Sequence, residues 1–176
     1  IDLSRFRGVR VDPVGRTAYV AGGSLLGELD HEATAFDLIT TTGTVSHTGV
    51  AGLTLGGGFG RVARRFGLAL DNVKAVDIVT ADGRLQRASS ADNPDLYWGV
   101  RGGGGNFGVV TRFEFRLHPL GPEVFAGLVL HRPERGRELL RLWRDVMGEA
   151  PDELSLAFGY LGAPDEPEIP EYLLAE

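Results

Sequence analysis

Cysteine is absent from this 176-residue chain, which removes disulfide frameworks and thiolate metal sites together. Lysine is nearly absent, Lys74 standing alone, and the arginines are scattered among acids that leave a net charge of −6. A nucleic-acid footprint needs a basic face and would show in that total, so no nucleic-acid partner is expected. The four histidines, His31, His47, His118 and His131, are far apart, and no pair has the His-x-x-x-His spacing of a metal site. No metal is expected. No apolar run approaches the length of a membrane span, and the opening Ile1-Asp2-Leu3-Ser4-Arg5 lacks the charged-then-apolar plan of a signal peptide. No membrane partner is expected, and the compartment is read as cytoplasmic or left unknown. The same opening has no initiator Met and reads as mid-domain sequence, so a piece cut from something larger is expected.

What the chain has in quantity is glycine, 26 residues of it, set in a composition 43% hydrophobic and 9% aromatic that can bury a core. Two stretches hold the glycines most densely: Gly49 to Gly60, with Gly52, Gly56, Gly57 and Gly58 between, and Gly102 to Gly105, with Gly108 beyond. Glycine loses more conformational freedom on folding than any other residue. Such density is tolerable where backbone must take positive φ or come within contact distance of something flat or anionic. These stretches read as the walls of a cofactor site.

Val9 to Asp12 and Thr17 to Ala21 flank Asp12-Pro13 and Gly15, a hairpin pattern. Ser24 is placed to cap a helix from Leu25 to Phe36, with Leu25, Leu29 and Ala33 on one stripe. Arg61 to Phe66 is at most two helical turns, closed by Gly67. Val73 to Thr80 and Arg84 to Ala88 read as strands joined through Asp82-Gly83. Asn93 caps, and Pro94 and Asp95 open, a helix whose Tyr97 and Trp98 read as core anchors. Gly108 to His118 reads as a long strand, with Val110, Phe113, Phe115 and Leu117 competing for the buried face. Pro119 and Gly121-Pro122 then mark a domain boundary. Beyond it a strand (Val124 to Leu130), an amphipathic helix (Pro133 to Met147; Leu139, Leu142, Trp143, Val146) and a strand (Leu154 to Leu161) look like the opening of a second domain, since one such unit cannot bury both of its faces. The acidic, proline-rich tail from Ala163 reads as disordered or truncated.

A nicotinamide fingerprint is the first alternative for the glycines. Gly103, Gly105 and Gly108 match the spacing but follow a helix and enter a strand, the reverse of what the fingerprint requires. Gly58, Gly60 and Ala63 also match, after a strand-like Leu53-Thr54-Leu55, but the helix that follows is too short for a crossover. Bare backbone amides, by contrast, cradle phosphate oxygens without lysine, and side-chain-free backbone can lie against a ring system.

In this order, Val45-Ser46-His47-Thr48-Gly49 running to Gly60, Phe66-Gly67-Leu68 with Asp71-Asn72, Thr80-Ala81-Asp82-Gly83, Asn93-Pro94-Asp95-Leu96-Tyr97-Trp98 and Arg101 to Val110 resemble the berberine-bridge-enzyme-like FAD-linked oxidases of the vanillyl-alcohol-oxidase superfamily. The resemblance runs over about residues 1–121. It implies an α+β chain: residues 1–121 as the second, C-terminal subdomain of a PCMH-type FAD-binding domain, then 122–176 as the start of an α/β substrate domain. It implies FAD as cofactor, a small-molecule substrate, hydride transfer from substrate to flavin, and reoxidation by oxygen. Carried over by position, Gly49, Val50, Ala51, Gly52 and Leu53 supply backbone to pyrophosphate and flavin, Phe59 sits near the cofactor, and Val109 and Val110 offer main-chain hydrogen bonds. Packing in the core is the competing reading for Phe59, Val109 and Val110.

Bicovalent members of the family attach flavin through a cysteine at the position of Val45, so a cysteinyl link is excluded here. The family's other attachment, a histidine in an earlier glycine-rich loop, falls before Ile1, and its catalytic base falls beyond Glu176. No catalytic residue is therefore assigned. His47 has no positioning partner in the sequence, Tyr160 and Tyr172 read as strand and tail residues, Asp71-Asn72 as a turn cap, and Arg101 as the partner of a carboxylate beneath the second stretch. The remainder of its own domain is an expected partner, and the chain alone is expected not to turn over. The rival from another class is a cofactor-free binding module on the same scaffold.

Overall fold

The computed structural model describes residues 1–121 and 123–160. It divides into two compact units, Ile1–Val124 and Phe125–Glu176. In the first, β1 (Val9–Asp12) and β2 (Thr17–Ala21) make a hairpin. Its turn is closed by Asp12 Oδ1, which accepts the Gly15 N–H at 2.9 Å. There follow α1 (Leu26–Thr34), β3 (Leu38–Ile39), α2 (Val50–Leu55), α3 (Ala63–Phe66), a 3₁₀ turn Ala69–Asn72, β4 (Val73–Val79), β5 (Leu85–Ser89), α4 (Pro94–Val100), a 3₁₀ turn Gly104–Phe107, β6 (Val109–Arg116) and β7 (His118–Pro119). Five strands form one sheet in the order β1-β2-β6-β4-β5, every neighbouring pair antiparallel, while β3 and β7 pair separately through Ile39 and His118.

One sheet face carries the core. Ala18, Val20, Val76, Ile78, Ala88, Val110, Phe113 and Phe115 are buried there against Leu26, Leu29 and Ala33 of α1, Val50 of α2 and Val100 of α4. Strict alternation cannot put both Val110 and Phe113 on that face. A bulge does: Asp77 pairs with Arg112 and Ile78 with Val110, leaving Thr111 as the extra residue. The other face is a charged ladder in which Arg87 grips Glu114 with two bonds of 2.7 and 3.0 Å and Arg112 meets Asp77 at 2.8 Å. The bond from Arg87 holds the Glu114 carboxyl below its usual range despite partial burial.

The structure corrects several sequence expectations. Ser24 does not cap α1: its hydroxyl bonds the Gly8 main chain, and Glu28 reaches back instead to accept the Leu25 N–H at 2.8 Å. Asn93 does not cap α4 with its side chain. It sits at φ 47°, and its amide donates to the Arg87 carbonyl at 2.7 Å, tying helix to hairpin. Trp98 is no core anchor, being 79% exposed, although Tyr97 is anchored by its hydroxyl on the Val73 carbonyl at 2.6 Å. Leu53-Thr54-Leu55 is helix, not strand.

In the second unit α5 (Gly136–Glu149) follows a 3₁₀ turn, Pro133–Arg135. Trp143 Nε1 donates to the Leu156 carbonyl at 3.1 Å, and Phe158 meets Tyr160 edge to face. Neither Val124 to Leu130 nor the described part of Leu154 to Leu161 is strand, because among the described residues neither has a neighbouring strand to take its backbone hydrogen bonds. Leu161 itself, the tail from Ala163 and Tyr172 lie outside the described residues.

Candidate functional site

The first glycine-rich stretch is delivered by a segment laid against the start of α1. Gly27 N–H donates to Ser46 O at 2.8 Å, Leu26 N–H to Thr48 O at 2.9 Å, and Val50 N–H to Ser24 O at 2.9 Å. Gly49 then stands at the N-terminal cap of α2, with the Ala51 and Gly52 N–H groups in a first turn that has no intrahelical acceptor for them.

The glycines here fall into two kinds. Some are required by the fold: Gly58 has φ +77°, and a Cβ on Gly60 would overlap the Thr42 carbonyl oxygen. Gly49, Gly52 and Gly105 are required by nothing in the described residues. None has positive φ, and a Cβ on any of them would meet no atom within 4 Å. Gly52 lies inside a helix, where glycine costs about 1 kcal/mol relative to alanine. These three present bare main chain to open space, the surface a ligand needs if it is to touch backbone.

The two stretches meet. Gly102 N–H donates to Leu55 O at 3.0 Å, joining the second stretch to the end of α2. The loop Phe66–Asn72 supports both. Ala69 and Leu70 N–H groups donate to Gly58 O and Gly57 O at 2.8 and 2.9 Å. Leu70 Cδ2 lies 3.8 Å from where a Cβ of Gly57 would stand and 3.7 Å from that of Gly102. Arg101 Nε donates to Leu70 O at 2.9 Å, and its guanidinium pairs with Asp71 at 3.5 Å, the carboxylate partner the sequence led us to expect. Asp71 Oδ2 in turn accepts the Leu68 N–H at 2.9 Å, a turn cap as read from sequence.

Of the sequence-derived site residues, Val45 and Phe59 are exposed, the latter at 72%. Gly49 and Gly52 are exposed, Ala51, Leu53 and Val109 half-buried, and Val50 and Val110 buried in the core. The side chains of Val50 and Val110 are committed to the core. The start of β6 reaches the start of α2 through a turn that sequence reasoning missed: Gly22 N–H donates to Thr111 O at 2.8 Å, and Ser24 O accepts from Val50. A Cβ on Gly22 would overlap the Val110 carbonyl, and one on Gly23 that of Leu3. The adjacent glycines directly after a strand were the available signal. Leu70 was missed as well, having no signal beyond an apolar side chain in a turn. His47 is exposed beside the first stretch, and Tyr160 is exposed in the second unit.

Two surface concavities lie elsewhere, one of about 480 Å³ beside Arg7, Glu28 and His31 and one of about 270 Å³ beside Tyr19 and Arg112; neither is lined by the glycine-rich stretches. The surface at Gly49, Gly52 and Gly105 is open. A nicotinamide site does not fit it, since a parallel strand-helix-strand crossover is missing among the described residues and the helix after Gly60 is a single turn. Among the described residues no helix is long and apolar enough to cross a membrane.

This mixed helix and sheet fold resembles that of the PCMH-type FAD-binding oxidases. Residues 1–89 match the model of the FAD binding domain family, and the chain belongs to that family. It is 37% identical over 159 residues to an FAD-linked oxidoreductase of Dictyostelium discoideum, covering 89% of this chain and 35% of that protein. It is 36% identical over 156 residues to (R)-6-hydroxynicotine oxidase of Paenarthrobacter nicotinovorans, covering 88% and 34%. The crystal structure of 6-hydroxy-D-nicotine oxidase from Arthrobacter nicotinovorans superposes with a TM-score of 0.80 at 37% identity, over 86% of this chain and 34% of that one. Xylooligosaccharide oxidase from Myceliophthora thermophila gives 0.63 at 39% identity, over 68% and 25%. The chain spans about a third of the length of the curated relatives it matches.

Proposed function

We propose that this chain forms one wall of the FAD site of an oxidase-type oxidoreductase, with residues 1–121 as the second subdomain of the FAD-binding domain and 122–176 as the start of the substrate domain. The observation that carries this reading is the Cβ-free surface of Gly49, Gly52 and Gly105, set on two stretches bonded to each other. The N–H groups of Ala51 and Gly52 are donors suited to pyrophosphate oxygens, and Gly49, Leu53, Phe59, Val109 and Val110 border the surface along which an extended dinucleotide would lie. Bound FAD would supply hydride acceptance from substrate and reoxidation by dioxygen. The residues of this chain bind and orient, and no base is assigned among the described side chains.

The substrate is a small molecule, the relatives being named for hydroxynicotine and xylooligosaccharide. The remainder of the FAD-binding domain is the natural partner of the open glycine wall. No cysteine is present, so this chain offers the flavin no cysteinyl link.

Titrating the purified chain with FAD tests the reading. Quenching of flavin fluorescence that saturates, and that NAD does not compete away, is the expected result. Indifference to FAD both alone and in the presence of a relative's missing first subdomain would overturn it in favour of a cofactor-free module.

A further inference from the structure

The loop Phe66–Asn72 is held from behind by a second set of bonds that the FAD site does not use. Asn72, 2% exposed, spends both amide hydrogens on main chain, donating to Phe66 O and Leu68 O at 2.9 Å each. Its orientation is thereby set, and Oδ1 is left as an acceptor that must find a donor, since burying it unpaired costs the desolvation of the group. His118 Nε2 lies 2.7 Å away and supplies it, so the neutral imidazole carries its proton on Nε2. The same ring stacks on Phe66 with centroids 4.1 Å apart. Thr41 completes the set, its hydroxyl donating to Gly67 O at 2.8 Å. Thus a residue of β7, 46 positions from Asn72, pins a loop whose other side bonds Gly57, Gly58 and Arg101.

We propose that Asn72 and His118 form a positioning pair for the cofactor site, locking the loop Phe66–Asn72 so that its Ala69 and Leu70 N–H groups hold the two glycine-rich stretches in the arrangement that accepts FAD. This rests on the functional reading above and deepens it. Neither side chain touches the glycine surface, so both act through the loop.

Stacking and hydrogen bonding at His118 are separable. His118→Phe keeps a ring against Phe66 and loses the donor; His118→Gln keeps an N–H donor and loses the ring. Two readouts apply to the full chain: the FAD dissociation constant from flavin fluorescence, and hydrogen exchange at the Ala69 and Leu70 amides without FAD. H118F is expected to weaken FAD binding about tenfold and to speed exchange at those two amides about tenfold, with β2 and β6 amides unchanged, while H118Q stays within about threefold of the parent in both. H118F matching the parent, or H118Q failing as H118F does, would overturn the pair. Should the parent take up no FAD either alone or with a relative's first subdomain, the functional reading falls and the exchange data alone decide the lock. Should H118F not fold, Thr41→Val, which removes the hydroxyl's bonds to Gly67 O and to the Asn72 amide and leaves His118 intact, tests the same lock on the loop by the same two readouts.

Discussion

Arg101 donates its Nε hydrogen to the Leu70 carbonyl at 2.9 Å, so a side chain of the second glycine-rich stretch grips the loop that grips the first. Lysine would keep a charge for Asp71 but lose the planar fork that reaches Leu70. Arg101→Lys is expected to lower unfolding stability by about 1 kcal/mol and to weaken FAD uptake about fivefold. Urea unfolding and flavin titration on the same sample measure both; undiminished FAD uptake would show that the grip does not serve the cofactor.

Gly52→Ala separates fold from function. With open space at its Cβ and helical backbone, alanine there is expected to stabilise the apo chain by about 0.5–1 kcal/mol. The same methyl stands on the surface assigned to FAD and is expected to reduce uptake tenfold or more. Gly60→Ala, by contrast, drives a methyl into the Thr42 carbonyl and should destabilise the fold outright. A Gly52→Ala chain that binds FAD like the parent would remove this glycine from the site.

His118 has an acid-side signature. Burial, then the nearby Arg116, Arg16 and Arg65, hold its imidazole below the usual range. The native state therefore favours the neutral ring, while the unfolded chain takes up its proton near 6.5. This contribution is fully present above pH 6.5, declines below it and is exhausted once the pH has fallen through the native value. Urea midpoints measured from pH 8 down to 5 should fall more steeply for the parent than for H118Q; parallel profiles would contradict the assignment.

Glu114 behaves likewise at lower pH. Its carboxyl is held down by Arg87, so its contribution is present above the unfolded value of 4.5 and is lost as the pH falls through the native one. Arg87 is 42% exposed, which keeps the pair modest, and Glu114→Gln should cost about 1 kcal/mol at pH 7. The gap between the two proteins should narrow as the pH falls below 4.5 and close once it has passed the lower native value, as acid unfolding curves will report.

Phe113 is wholly buried between the sheet and its helices. Phe113→Ala is expected to cost about 3–5 kcal/mol, a large share of the stability of a domain this size. A loss under 1 kcal/mol in urea unfolding would mean that the core is not packed as described.

Turn chemistry and alternation made the hairpins and the long strand legible, because Asp12-Pro13 and Asp82-Gly83 act locally. The helix α2 was not legible: Leu53-Thr54-Leu55 suits either period, and the bond from Val50 to Ser24, 26 residues apart, decides it. Asn93 and Ser24 are good cap residues drawn off by longer-range partners, Arg87 and Gly8. The glycine stretches announced a site, but their spacing carried no hint of which glycines the backbone needs and which stand open. That distinction depends on Thr42 and Ala69, neighbours from other parts of the chain, and on how Leu53 folds back within the stretch.

The extra residue Thr111 divides β6 into two functional lengths. From Arg112 onward the strand obeys the pleat and answers to Phe113 and Phe115; before it, Val109 and Val110 follow a separate phase. Val110 lies in the core itself, so both lengths stay tied to the hydrophobic interior; deleting that single threonine would set Val110 and Phe113 two positions apart on one face, so the strand would keep its buried side chains and lose its kink.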